Sequence, residues 1–361
     1  MYNLHLETSH FPAQTDTEIR DISVGGLLRE IASSHPDSIA MVDVAEDGNC
    51  GQSWTYSDLA NQAKSLAQAL ASRFEPRERI VVWAPNIPEW IFMEYAAGLA
   101  GLVLVTANPS FQTAELRYVL DQSDAVGLFM IDEFRGNPMK EIANEATKGN
   151  TRLRETVNLH SKDTLFKIGD RPTLLPNVHP DDPAQIQYTS GTTGFPKGAI
   201  LSHKNLVNNA RLFCARKQVN QHSVWANFMP LFHTAGCATG ALGCLQAACK
   251  MLLIKRFDSD IFAQLIEEQK VTTCFAVPTM LFNLLESLER NPRDTSSLEV
   301  ITTGGAPVPA DLIRKVRNNL GCHLLSAFGQ TEHSPMISLN PIESTIEQIV
   351  ETAGQPLPHT E

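Results

Sequence analysis

The sequence predicts an α/β fold of doubly wound sheets with helices on both faces. Two observations carry this reading: short apolar runs recur along the 361 residues, and segments with the one-sided apolar spacing of helices separate them. Neither a tandem repeat nor a low-complexity tract interrupts the alternation. At 43% hydrophobic residues, a chain of this length buries a substantial core, spread over about two to three domain-sized units.

Tyr56 to Leu70 places Leu59, Ala63, Leu66, Ala67 and Leu70 on one face, which predicts an amphipathic helix. A βαβαβ unit follows: strand Arg79 to Trp83, helix Trp90 to Ala100, strand Leu102 to Val105, helix Thr113 to Gln122, strand Val126 to Ile131. Residues 135–183 are richer in charge, Pro and Asn, and read as a connection holding short elements. Strands then recur near Gln185 to Thr189, Val224 to Met229, Met251 to Ile254, Thr272 to Ala276, Val300 to Thr303 and His323 to Phe328. The most apolar stretch, Ala238 to Ile254, is broken by Gln246 and Lys250 and reads as a buried helix entering a strand, not a membrane span.

Charge and cysteine usage exclude several function classes. Twenty-nine basic against 40 acidic side chains give a net charge of −11, which argues against a nucleic-acid surface, so any phosphate site must be built locally. The seven cysteines form no C-x-x-C pair and no zinc-spaced His/Cys set, which points to a reducing, cytoplasmic setting. The start, MYNLHLETSHF, has neither a signal-peptide pattern nor a lipidation motif.

In doubly wound sheets ligands sit beyond the carboxyl ends of strands, so the loops after Thr189, Met229, Thr303 and Phe328 are the places to look. The first reads Tyr188-Thr189-Ser190-Gly191-Thr192-Thr193-Gly194-Phe195-Pro196-Lys197-Gly198. Its glycines let backbone N–H groups approach an anion, its hydroxyls add donors, and Lys197 supplies positive charge, so it reads as a phosphate cradle and not as a surface turn. It is no Walker loop, because the lysine stands three residues after Gly194 and is followed by glycine. Ser190 has no His and acid partner in motif context, and the cysteines read as small apolar residues, so no covalent nucleophile is expected.

This loop resembles the signature of the adenylate-forming, AMP-binding superfamily, which includes acyl-CoA synthetases, peptide-synthetase adenylation domains and firefly luciferase. Other segments fall in the family's order: Trp54 to Leu59, Asn108-Pro109 to Leu120, Met229-Pro230-Leu231-Phe232-His233, Gly304-Gly305-Ala306-Pro307, and Phe328-Gly329-Gln330-Thr331-Glu332. The resemblance implies two similar subdomains, about 75–220 and about 20–71 with 221–340. It also implies that Thr189 to Gly194, Lys197, Gly305, Ala306, Pro307 and the run Ser326, Ala327, Phe328, Gly329, Gln330 and Thr331 hold ATP. Glu332 would hold Mg2+, consistent with a hard cation offsetting carboxylate–phosphate repulsion. His233, Thr234, Gly236, Cys237 and Gly304 would line the acid pocket, and Lys197, His233, Thr331 and Glu332 would act in catalysis.

The implied reaction is ATP-dependent activation of a fatty or aryl acid to an acyl-adenylate and then, with coenzyme A, to acyl-CoA. Peptide-synthetase domains place an acid near the substrate ammonium, and Pro230-Leu231-Phe232-His233 lacks one, which points to a carboxylate without an α-amino group. Transfer of the acyl group to a carrier protein, or a binding remnant without turnover, are the alternatives. The sequence ends at Gly354-Gln355-Pro356-Leu357-Pro358-His359-Thr360-Glu361, the start of a further family motif. The family's ribose-binding aspartate, hinge and lysine-bearing C-terminal lid domain lie beyond that motif, so a C-terminal domain or partner chain is expected to be needed.

Overall fold

The computed structural model describes residues 7–189 and 196–361, which build two β-sheets wrapped by helices. In the six-stranded sheet the order is Glu155–Asn158, Gly127–Met130, Arg79–Trp83, Val103–Ala107, Pro183–Thr189, Lys197–Ser202. The first five are parallel, and the last returns antiparallel on its neighbour. In the nine-stranded sheet the order is Gln355–Pro356, Met336–Leu339, His323–Gly329, Val300–Gly304, Thr273–Ala276, Val224–Asn227, Lys250–Ile254, Ile39–Val44, Cys50–Thr55. The central six run parallel, and each of the outer three pairs antiparallel with its inner neighbour.

The doubly wound sheets depart from parallel pairing at their edges. Lys197–Ser202, Met336–Leu339 and Cys50–Thr55 each pair antiparallel with the strand before them in the chain, and Gln355–Pro356 pairs antiparallel with Met336–Leu339 after the intervening helix Ile346–Glu351. The loop after Thr189 accordingly leads into a strand, not a helix.

The helices follow from local chemistry. Tyr56–Ala71 starts with a reciprocal cap: the Thr55 side chain accepts from Asp58 N–H, and the Asp58 carboxylate accepts from Thr55 N–H. Its apolar face is buried as the spacing requires. Pro88–Ala100 begins with proline at its first turn, where no N–H is needed, and ends at Gly101 with φ of 68°. Nearly all its residues are buried, because it packs against Tyr56–Ala71 and Val24–Ser34 as well as against its own sheet. The run Ala238 to Ile254 is a π-helix, Ala235–Leu242, then a short α-helix and the strand Lys250–Ile254. Among the described residues no helix is long and apolar enough to cross a membrane.

Candidate active site

The connection after Val224–Asn227 leads to one side of that strand, to Lys250–Ile254; the chain then crosses back, and Thr273–Ala276 lies on the other side. The winding direction reverses there, which opens a crevice beyond the carboxyl ends of the strands. A cleft of about 430 Å³ fills it, bounded by Met229 and Pro230, Phe232 to Ala235, Val277, Gly304 and Gly305, Ala327, and Gly329 to Thr331.

His233 is exposed to this cleft, and its Nδ1 accepts from Ala235 N–H at 3.1 Å. With that nitrogen an acceptor, the neutral ring carries its proton on Nε2. The protein packed around the ring lowers its pKa, so the imidazole is neutral at neutral pH. Gly304 also lines the cleft and must be glycine, since a Cβ there would lie 2.7 Å from Ala327 O. At Gly305 the requirement is conformational, a φ of +81° with open space around it.

Of the remaining nucleotide-site candidates, Ala327, Gly329, Gln330 and Thr331 line the cleft. Ala306, Pro307, Ser326 and Phe328 do not: Ala306 and Pro307 are exposed in the next turn, Ser326 N–H is bonded to Asn340 Oδ1, and Phe328 projects 52% exposed. Thr234 lines the cleft, whereas Gly236 and Cys237 lie behind it. A Cβ on Gly236 would sit 2.2 Å from Pro230 O, so this glycine serves backbone packing. Cys237 faces the other sheet, where its Sγ accepts from Gln187 Nε2 at 3.1 Å.

Ser190, Gly191, Thr192, Thr193 and Gly194 lie outside the described residues. Their flanks, Thr189 and Lys197, are cross-strand partners, and Lys197 is exposed. The strand Lys197–Ser202 packs against the turn Thr331–His333, which brings the lysine-bearing strand of one sheet to the Glu332-bearing turn of the other. Glu332 is exposed, and among the described residues no cluster of three His, Cys, Asp or Glu side chains could hold a metal. A single carboxylate beside a threonine hydroxyl still fits magnesium, which takes one or two carboxylates and completes its shell with phosphate oxygens and water.

Two asparagines that sequence reasoning missed hold this geometry. Asn86 donates to Met229 O and Ile254 O at 3.0 and 3.1 Å and accepts from Leu231 N–H at 2.9 Å, fixing the turn that leads to His233. Asn209, on the helix His203–Arg216, donates to His333 O and Met336 O and accepts from Met336 N–H, fixing the segment after Glu332. A second cleft, of about 420 Å³, shares Pro230 and Phe232 with the first and carries Arg135, Lys255 and Arg256 among Phe134, Phe228 and Phe257.

The family model for AMP-binding enzymes matches residues 28–361. YngI of Bacillus subtilis (strain 168), which bears an acyl-CoA synthetase name, is 30% identical over 373 residues, 95% of this chain and 67% of its own. The human mitochondrial medium-chain acyl-CoA ligase ACSF2 is 29% identical over 388 residues, 98% of this chain and 62% of its own. The chain thus spans 62% and 67% of the length of these relatives. In fold it is similar to the crystal structure of a long-chain-fatty-acid-CoA ligase from Archaeoglobus fulgidus, with a TM-score of 0.83 at 24% identity over 97% of this chain and 72% of that one. The winding of both sheets, the cleft at the reversal point and these matches have one conclusion: the chain belongs to the AMP-binding enzyme family.

Proposed function

We propose that this chain carries the adenylate-forming site of an acid–thiol ligase, which activates a fatty or aryl carboxylic acid with ATP and passes the acyl group to coenzyme A. The observation that carries this reading is the convergence of His233, Gly304, Gly305, Gln330 and Thr331 on one cleft, beside the junction of the Lys197 strand and the Glu332 turn. In the first step a carboxylate oxygen of the acid attacks the α-phosphorus of ATP, and the bond to pyrophosphate breaks. In the second the thiol sulfur attacks the acyl carbon, its proton leaves to solvent, and AMP departs.

Such chemistry asks the protein to position and to stabilise charge more than to react. Lys197 and Thr331 would bind phosphate oxygens, and neutral His233 has an Nε2–H free to hold the acid's carboxylate. Glu332 would hold Mg2+, which supplies neutralisation of the polyphosphate. Among the described residues no Asp or Glu lines the cleft, which supports an acid without an α-ammonium group. The cationic, aromatic second cleft supports a thiol donor bearing phosphates and adenine, as coenzyme A does. All seven cysteines are unpaired and six are buried, which supports a reducing compartment, cytoplasmic or mitochondrial.

The test offers ATP, magnesium and a panel of acids together with either coenzyme A or a phosphopantetheinyl carrier protein, and reads the acylated thiol by mass. Acyl-CoA without acyl-carrier supports the reading. Acyl-carrier alone would replace it with a carrier-loading enzyme.

A further inference from the structure

Behind the wall of the acid pocket, a chain of buried polar side chains joins the strand Pro183–Thr189 to the turn that carries His233. Glu94, on the helix Pro88–Ala100, is 3% exposed, and its Oε1 accepts from Gln185 Nε2 at 2.7 Å. Gln185 Oε1 accepts from Gln187 Nε2 at 2.9 Å, and the same nitrogen lies 3.1 Å from Cys237 Sγ. The Cys237 thiol donates to the backbone oxygen of His233 at 3.4 Å. Thr106 closes the side of the chain by donating to Gln187 Oε1.

Packing alone does not account for a carboxyl group here. Glu94 sits among apolar neighbours, and its Oε2 has no hydrogen-bond partner, an arrangement that a leucine would avoid. From this carboxyl the link runs through Gln185 to the thiol beneath His233, directly at 3.6 Å from Gln185 Oε1 to Cys237 Sγ and also by way of Gln187, and both glutamines stand on the strand whose end, Thr189, borders the glycine-rich segment.

We propose that Glu94 is a positioning residue: through Gln185, Gln187 and Cys237 it sets the His233 turn against the strand that leads to the phosphate-binding segment, and its ionisation resets that placement. The consequence for acid binding rests on the adenylate-forming reading, whereas the link itself belongs to the fold.

Burial holds the Glu94 carboxyl protonated up to about 8, with the Gln185 bond opposing. The titratable groups facing it are Tyr95 on its own helix and Cys237 on the π-helix, with Tyr56 and Cys244 beyond Tyr95. Burial pushes all four well above their ordinary values, so none of them ionises in that range. Charged residues of the packed helices, Arg29, Glu30, Asp58 and Lys64, are exposed and point away. Lys217, brought down to about 8 by burial, sits farther off, 4.0 Å over the Trp225 ring, and serves as an internal control because substitution of Glu94 leaves it in place.

The test follows the His233 ring carbon by NMR in histidine-labelled protein from about pH 7 to about pH 9, where neutral His233 does not itself titrate. Wild type should show a step with a midpoint of about 8, and the step should vanish in Glu94→Gln and in Cys237→Ala. Cys237→Ala breaks the last link and keeps the test decisive where Glu94→Gln folds poorly. Acid affinity measured by calorimetry at both ends of the range should change several-fold in wild type and stay level in Glu94→Gln. A flat His233 resonance in wild type, or a step that survives in Glu94→Gln, overturns the proposal. A step lost in Glu94→Gln while no acid binds at either pH upholds the link and overturns the carboxylate-activating reading instead.

Discussion

At the scale of single residues, Lys197 and Glu332 carry opposite charges on segments brought together from different sheets, and both are exposed. Exposed charges contribute little to stability, so their value lies in what they hold. Lys197→Ala should therefore weaken ATP binding about 10- to 100-fold, the loss of one charge-assisted hydrogen bond, and leave the melting temperature and adenosine affinity unchanged. Unchanged ATP affinity by calorimetry would remove Lys197 from the phosphate site. Both residues were legible as candidates because each sits in a run of unusual residues: glycines and hydroxyls before Lys197, and Phe328-Gly329-Gln330-Thr331 before Glu332. Asn86 and Asn209 were not, because an amide that bonds backbone more than a hundred residues away leaves no local pattern. Gly236 was legible as a small residue but not as one pressed against Pro230 O, since the contact depends on how the π-helix folds back on the turn.

At the scale of elements, Tyr56–Ala71 and the βαβαβ unit were readable because burial on one face writes a period into the sequence. Lys197–Ser202 was hidden because KGAILS follows a glycine-rich turn and resembles the entry to the next helix. Its antiparallel return matters to the site, for it carries Lys197 toward the Thr331–His333 turn. That turn in turn depends on the helix His203–Arg216 through Asn209. Asn209→Ala would leave the buried Met336 N–H without its side-chain acceptor, with an expected loss of about 1–3 kcal/mol in urea unfolding. Nucleotide binding should weaken with it, as the segment after Glu332 loosens. Full stability in that variant would show that Asn209 does not hold the turn.

At the scale of the whole molecule, two doubly wound sheets meet where the Lys197–Ser202 strand of one packs on the Thr331–His333 turn of the other, and the Met229–His233 turn lies between the first cleft and a second, cationic one. In the proposed reading the first cleft takes the acid and the nucleotide, and the second takes the phosphate-bearing thiol. The central claim is that the first cleft forms an acyl-adenylate, and acid-dependent exchange of labelled pyrophosphate into ATP tests it most directly. With magnesium present, exchange should appear for fatty or aryl acids, fall away without acid, and drop sharply in Glu332→Gln. ATP binding without exchange for any acid, in this chain and in the longest form of the protein, would contradict the account and leave a nucleotide-binding domain that does not activate carboxylates.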